Sequence, residues 1–275
     1  KDFGFNVAFN MSAIKNKMTE LDGDVSYIGL PTSVIHSLNF DQEVSRSAIG
    51  QPIGSFYAYK EDGLFQSEAE IKSYTNNKGE LLQPNAKPGD IKFVDVNGDG
   101  VIDGNDVTAG LTLGVNFHNF DLSLFFQGMF GNDVYDLTRY VGDFYNQSQY
   151  NKNSRVVNAW TPTNTNTDIP RVTMDDPNNN IRPSSYYVQD ASFVRLKNMK
   201  IGYSVPQSIL SKIKFNSLYI YAQATNLFTI TGYDGIDPEV GLQSYSSDYR
   251  NLDMGVDRGI YPLSRTFTFG VNVSF

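Results

Sequence analysis

Apolar and polar residues alternate with a period of two along much of the chain. Phe3, Phe5, Val7, Phe9 and Met11 alternate with Gly4, Asn6, Ala8 and Asn10. Phe120, Leu122, Leu124 and Phe126 alternate with Asp121, Ser123 and Gln127, broken by Phe125. At the far end Phe267, Phe269, Val271, Val273 and Phe275 alternate with Thr266, Thr268, Gly270, Asn272 and Ser274 without a fault. Successive side chains of a strand point to opposite faces, so each segment has one apolar face and one polar or small face. The pattern predicts strands at about 3–14, 44–60, 111–117, 120–130, 187–204, 216–229 and 262–275. Between 187 and 204 the parity shifts: Val194 and Leu196 lie on one phase, Met199, Ile201 and Tyr203 on the other. A bulge near Lys197-Asn198 accounts for this.

Two architectures produce such faces. A soluble β-sandwich buries its apolar side, whereas a transmembrane barrel turns it to lipid and keeps the polar side on a wet lumen. Loop lengths separate the two. From residue 61 onward long connections (61–110, 131–186, 230–261) alternate with short ones (118–119, 205–215). Outer-membrane barrels sort their loops in this way, with tight periplasmic turns and long extracellular loops. In that register the last strand runs towards the periplasm and ends on the aromatic Phe275.

Composition supports the barrel. Across 275 residues, aromatics make up 13% and charged residues only 19%, below the usual quarter, while mean hydropathy is −0.34. A barrel wall averages an apolar outer face with a polar inner one, which reconciles many rings with a modest mean hydropathy. Lys plus Arg is 22 and Asp plus Glu 30, a net charge of −8, which argues against nucleic-acid binding. There is no cysteine, so disulfides, thiolate metal sites and cysteine nucleophiles are excluded. No apolar run reaches the roughly 18 residues of a membrane-spanning helix, and no signal peptide is visible at the start.

Chemistry-bearing motifs are few. Asp95-Val96-Asn97-Gly98-Asp99-Gly100-Val101-Ile102-Asp103-Gly104-Asn105-Asp106 has the spacing of an EF-hand loop. Asp95, Asn97, Asp99, Asp103 and Asp106 supply side-chain oxygens and Val101 a carbonyl, with Gly100 at the sharp turn. Hard oxygen ligands at this spacing suit Ca2+, with Mg2+ as the alternative. No flanking helix pair is evident, so the reading is a loop staple rather than a sensor; the bland alternative is an empty Asx turn. His36 and His118 lie in different connections and support no triad or imidazole metal site. Asp237 and Glu239 sit in a Gly/Pro-punctuated loop with no sign of a pocket that would shift either pKa, so no catalytic role is assigned. The loops 145–151 and 176–180 are rich in Asn and Tyr. They suit polar-ligand binding, with plain solvated loops as the alternative.

Several strings together resemble the C-terminal barrel region of SusC-type (RagA-like) TonB-dependent outer-membrane transporters. They are Gly50-Gln51-Pro52-Ile53-Gly54-Ser55-Phe56-Tyr57-Ala58-Tyr59, Asp62-Gly63-Leu64-Phe65, and Gly89-Asp90-Ile91-Lys92-Phe93 before the aspartate loop. Phe120–Gly128, Trp160–Thr165, Val194–Asn198 with Gly202-Tyr203, Ala224–Thr229, Tyr261-Pro262 and Arg265–Gly270 follow in order. Relative to the family, the links at 108–111 and 118–119 are short. The resemblance implies an all-β fold, with residues 1–275 forming about seven strands of a 22-stranded barrel around a plug, and plug and N-terminal strands outside this sequence. It implies uptake of glycans or peptides delivered by a SusD-type surface lipoprotein, and opening driven through TonB. The setting implied is the outer membrane of a Gram-negative bacterium, with a dimer of transporter–lipoprotein pairs as one arrangement. The competing expectation is a secreted, calcium-stapled β-sandwich that binds polysaccharide. The expectation is a non-enzyme, and on the barrel reading a portion of a longer polypeptide, because about seven strands are too few to close a 22-stranded barrel.

Overall fold

The computed structural model describes residues 3–30, 42–94, 101–102, 106–145, 151–241, 252 and 254–275. Its strands, in chain order, begin with β1 (Phe3–Ile14), β2 (Tyr27–Gly29), β3 (Ser45–Ala48), β4 (Ser55–Tyr57), β5 (Lys60–Leu64), β6 (Ile91–Val94) and β7 (Val101–Ile102). Then come β8 (Asp106–Phe117), β9 (Phe120–Phe130), β10 (Asp133–Asp136), β11 (Val188–Asp190) and β12 (Phe193–Ser204). The last are β13 (Ser217–Thr225), β14 (Thr229–Thr231), β15 (Val256–Asp257) and β16 (Thr266–Ser274). Helices are few and short, and none among the described residues is long and apolar enough to cross a membrane.

The long strands form one antiparallel wall in the order β1-β8-β9-β12-β13-β16, with β14 added beside β12. Registers bring the apolar positions of every strand onto one face. One row across the wall reads Phe3, Phe117, Phe120, Tyr203, Ile220, Val271; another reads Val7, Leu113, Leu124, Met199, Ala224, Phe267. The register shift between Leu196 and Asn198 is the expected bulge. Without it, Val194 and Leu196 would share a face with Lys200 instead of Met199. From Phe3 to Met11 the apolar row rises roughly 25 Å along its strand, the height of an outer-membrane apolar band.

That face is uncovered. Phe5 is 72% exposed and Phe269 81%, and no second sheet packs on it among the described residues. A β-sandwich buries such a face, so the sandwich expectation is overturned. The wall is the fold of a transmembrane barrel.

All long connections leave from one end of the wall and the short ones from the other. At the short end, His118-Asn119 closes a two-residue hairpin, with His118 at φ 51°. At the long end the connections fold against each other into a separate layer that holds the hydrophobic core. Tyr135, Tyr187, Phe56, Ile91, Trp160 and Val256 meet there, and none belongs to the wall. The Tyr135 and Tyr187 rings stack at 5.3 Å, and Tyr186 meets Tyr187 edge-on at 5.5 Å. Small sheets, β2-β3-β4-β7, β10-β11-β15 and β5-β6, frame this layer.

Four predicted strands need correction; one of them, 216–229, is broken at Asn226 (φ 50°) into β13 and the separate β14. The segment 44–60 is not one strand, because Gly50 and Gly54 take φ of 92° and 74° and break it into β3 and β4. The strand expected at 111–117 starts at Asp106, where pairing to Ile14 of β1 extends it past poor strand formers. Residues 187–204 divide between β11, in the loop layer, and β12, in the wall.

Candidate functional site

The wall's second face is polar. Asn6 and Asn10 of β1 lie against Gly114 and Gly110 of β8, where a Cβ would meet the asparagine amides. Further along the sheet, Asp121 of β9, Lys200 of β12, and Tyr219 and Tyr221 of β13 form one group. The Tyr219 hydroxyl donates to Asp121 Oδ2 at 3.0 Å. Lys200 Nζ stands 4.9 Å and 4.8 Å from the centres of the Tyr219 and Tyr221 rings, a cation–π arrangement. The two rings fit because their neighbours are glycines: a Cβ on Gly202 would collide with Tyr219, and one on Gly270 with Tyr221. Sequence reading missed this group. Its signal was present in the polar phase of each strand, but which strands neighbour each other could not be read there.

Where the wall meets the loop layer, β12 carries the main anchor. Arg195, only 2% exposed, donates from Nε to Thr229 Oγ1 at 2.7 Å. Its Nη2 reaches Asp237 Oδ1 at 2.6 Å and its Nη1 reaches Glu239 Oε2 at 2.8 Å. Lys197, the extra residue at the bulge, reaches the same Glu239 oxygen at 2.8 Å. Burial pushes the Asp237 carboxyl upward, but the amides of Glu239 and Leu263 and the Arg195 guanidinium outweigh it and hold the pKa below the usual range. Asp237 and Glu239 are therefore a structural clamp. The Arg fork occupies the pair, leaving no acid–base geometry of the glycosidase type.

The loop layer is tied together by buried amides. Asn180 donates to Asp90 Oδ1 at 3.0 Å and to Asp176 Oδ1 at 2.8 Å, and its oxygen accepts from Ile91 N at 2.8 Å. Asn178 donates to the Ile91 carbonyl at 3.0 Å, and Gln83 joins by donating to Asn178 Oδ1 at 2.9 Å. Arg171 pairs with Asp90 at 2.6 Å. Gly89, at φ 88°, leaves room for the Trp160 ring, and Trp160 Nε1 donates to Gln66 at 2.9 Å. Thus Asp176, Asn178 and Asn180 do not face a ligand; they are buried and satisfied internally.

A second charged group joins two of the long connections. Asp234 accepts from Arg139 at 2.7 Å and from Arg155 at 3.1 Å. Nearby, Glu61 of β5 has its pKa raised to about 7 by burial and then by the Asp168 carboxylate, against the pull of Arg139 and Arg155.

Of the proposed metal ligands, Asp95, Asn97, Asp99 and Asp103 lie outside the described residues. Val101 lies in β7 opposite Tyr57, and Asp106 opens β8 opposite Ile14. No cluster of three metal-binding side chains occurs among the described residues. His118 packs edge-on against Phe117 at 4.4 Å in its turn, and His36 and residues 146–150 lie outside the described set.

Comparison with known proteins agrees with the wall. No protein-family model matches the chain. Over all of its length it is 36% identical, across 286 residues, to TonB-dependent receptor P3 of Formosa agariphila, covering 27% of that protein. It is 26% identical across 290 residues to TonB-dependent receptor SusC of Bacteroides thetaiotaomicron, covering 25% of it. The chain therefore spans about a quarter of the curated relatives it matches. Among solved structures, the RagAB peptide transporter superposes with TM-score 0.71 at 22% identity, over all of this chain and 27% of that one. The same importer in its closed-closed state gives 0.70.

Proposed function

We infer, from a chain homologous along its whole length to TonB-dependent receptors of the SusC type, that it forms part of the wall of an outer-membrane nutrient importer in a Gram-negative bacterium. The observation that carries this reading is the two-faced wall: exposed apolar side chains in register on one side, polar and small ones on the other. The first face suits lipid and the second a hydrated lumen. Among the described residues β1 and β16 each have one strand partner. Further strands paired to those edges would complete a closed barrel, which is the only spanning sheet that leaves no backbone unsatisfied in lipid.

In this reading the whole importer takes up a glycan or a peptide, handed over by a SusD-type lipoprotein seated on the loop layer, with TonB supplying the work from the inner side. Its role is transport rather than catalysis. The Asp95–Asp106 loop serves as a Ca2+ staple within the long connection, held by the six ligands named above. That assignment has its own check: metal analysis of purified protein should find one divalent ion per chain, and finding none withdraws it.

The importer reading is tested with the complete protein. It should be monodisperse only in detergent, and uptake of its nutrient should stop when TonB is deleted from the host. Monodisperse behaviour in plain buffer, or uptake indifferent to TonB, overturns it.

A further inference from the structure

A groove of about 400 Å³ opens in the apolar face of the wall, in the half next to the long connections. Its floor is two small residues paired in register, Ala109 of β8 and Gly128 of β9. Leu111 and Phe126 flank this floor towards the short turns, and Phe130 bounds it towards the long connections. Resting on the importer reading, we propose that the groove holds one acyl chain of a phosphate-bearing anionic lipid of the outer leaflet, with the phosphate against Lys15 and Lys17.

Three features point there. The first is shape. Across the wall the row through the floor reads Met11, Ala109, Gly128, Val194, and the next row towards the short turns reads Phe9, Leu111, Phe126, Leu196. Larger side chains thus surround a gap centred on β8 and β9. Gly128 has to be small, because a Cβ there would stand 2.8 Å from Cε2 of the Phe130 ring. Lipid tails are as apolar as the wall, so burial alone favours no tail over another. A recess that grips a chain on several sides adds van der Waals contact that a flat wall does not offer.

The second feature is length. From Leu113, at one end of the groove, to Val107, paired with Phe130 at the other, β8 rises roughly 20 Å. In a barrel strand tilted by about 40° that is roughly 15 Å along the membrane normal, the depth of one hydrocarbon leaflet. The third feature is charge at the outer end. Apolar-face positions of β1 run Val7, Phe9, Met11 and Ala13, opposite Leu113, Leu111, Ala109 and Val107. The next position in that alternation, just past the strand, is Lys15. Asn16 turns to the other side, where its Oδ1 accepts from Ile53 N at 2.8 Å. Lys15 and Lys17 therefore stand on the lipid side, and both are exposed. A chain-length groove with ammonium groups at its outer end matches an anionic lipid better than a zwitterionic one, whose own cation competes for the phosphate.

Native mass spectrometry of the complete protein in detergent, titrated with dimyristoylphosphatidylglycerol or dimyristoylphosphatidylcholine, tests this. The anionic lipid is expected to bind about tenfold more tightly than the zwitterionic one, with one molecule bound ahead of all others. Ala109→Phe, which fills the floor, should weaken the anionic lipid about tenfold. The double variant Lys15→Glu/Lys17→Glu should abolish the preference between the two lipids. Val271→Phe, on the same face of β16 but outside the groove, should change neither. Equal affinity for the two lipids, or a loss as large in Val271→Phe as in Ala109→Phe, overturns the proposal. So does a dimer in detergent that Ala109→Phe dissociates, because the groove would then seat a second copy. None of these outcomes touches detergent dependence or TonB-dependent uptake, so failure here is distinguishable from failure of the importer reading.

Discussion

Arg195 Nη2 lies 2.6 Å from Asp237 Oδ1, joining the wall to a loop 42 residues further along the chain. Both groups are almost wholly removed from water, at 3% and 7% side-chain exposure. Removing one partner of a buried pair strands the other. Arg195→Met is therefore expected to cost about 3–5 kcal/mol, read as a lower melting temperature in detergent and faster proteolytic nicking between residues 230 and 241. The double variant Arg195→Met/Asp237→Asn should recover part of the loss.

The same pair sets an acid limit. With its folded pKa below the unfolded value of 3.8, Asp237 contributes stability that is complete above that unfolded value and is lost only as pH falls through the lower folded one. The segment 230–241 should stay protease-resistant at pH 5 and open in stronger acid. Opening at pH 5 would contradict the clamp.

Glu61 works in the opposite sense. Its folded pKa of about 7 lies above the ordinary 4.5, so its contribution is complete below the ordinary value and fades as pH rises towards the folded one. Glu61→Gln should leave stability unchanged at pH 5 and raise it at pH 8, by about 3 kcal/mol at the outside. Parallel melting curves of variant and parent at both pH values check this.

The buried amide knot predicts a sharp position effect. Asn180→Ala removes partners from Asp90, Asp176 and the Ile91 amide together. A loss of about 2–4 kcal/mol is expected. Asn179→Ala, whose neighbour does the tying, should cost far less. Thermal unfolding of the two variants gives the comparison.

Across the wall, charge should be tolerated on one face only. Phe269→Lys places an ammonium on the apolar side, at a cost of about 2–4 kcal/mol near the bilayer midplane. Thr268→Lys, one residue away, points to the polar side and should fold into vesicles with near-parental stability. Urea titration of both in lipid decides it; equal losses would remove the two-faced reading.

The wall was legible in the sequence because its period is local. β1 begins and ends where alternation begins and ends, and the bulge at Lys197 showed as a change of parity between Leu196 and Met199. Resemblance to SusC-type proteins rested on strings from both the wall strands and the loops, such as Phe120–Gly128 and Gly50–Tyr59, and on their order. The loops were another matter. Asn178 and Asn180, which read equally well as ligand-binding or solvated amides, are buried ties. Asp237 and Glu239 read as carboxylates without a pocket, and their partner Arg195 stood in a different strand. Hydrophobic phase along a strand is written in neighbouring residues, so the sequence determined the strands, their two faces and the end from which long loops leave. Pairings between distant loops carry no such local period. Only the tertiary structure decided that those loops build the hydrophobic core, and that Asp121, Lys200, Tyr219 and Tyr221 converge.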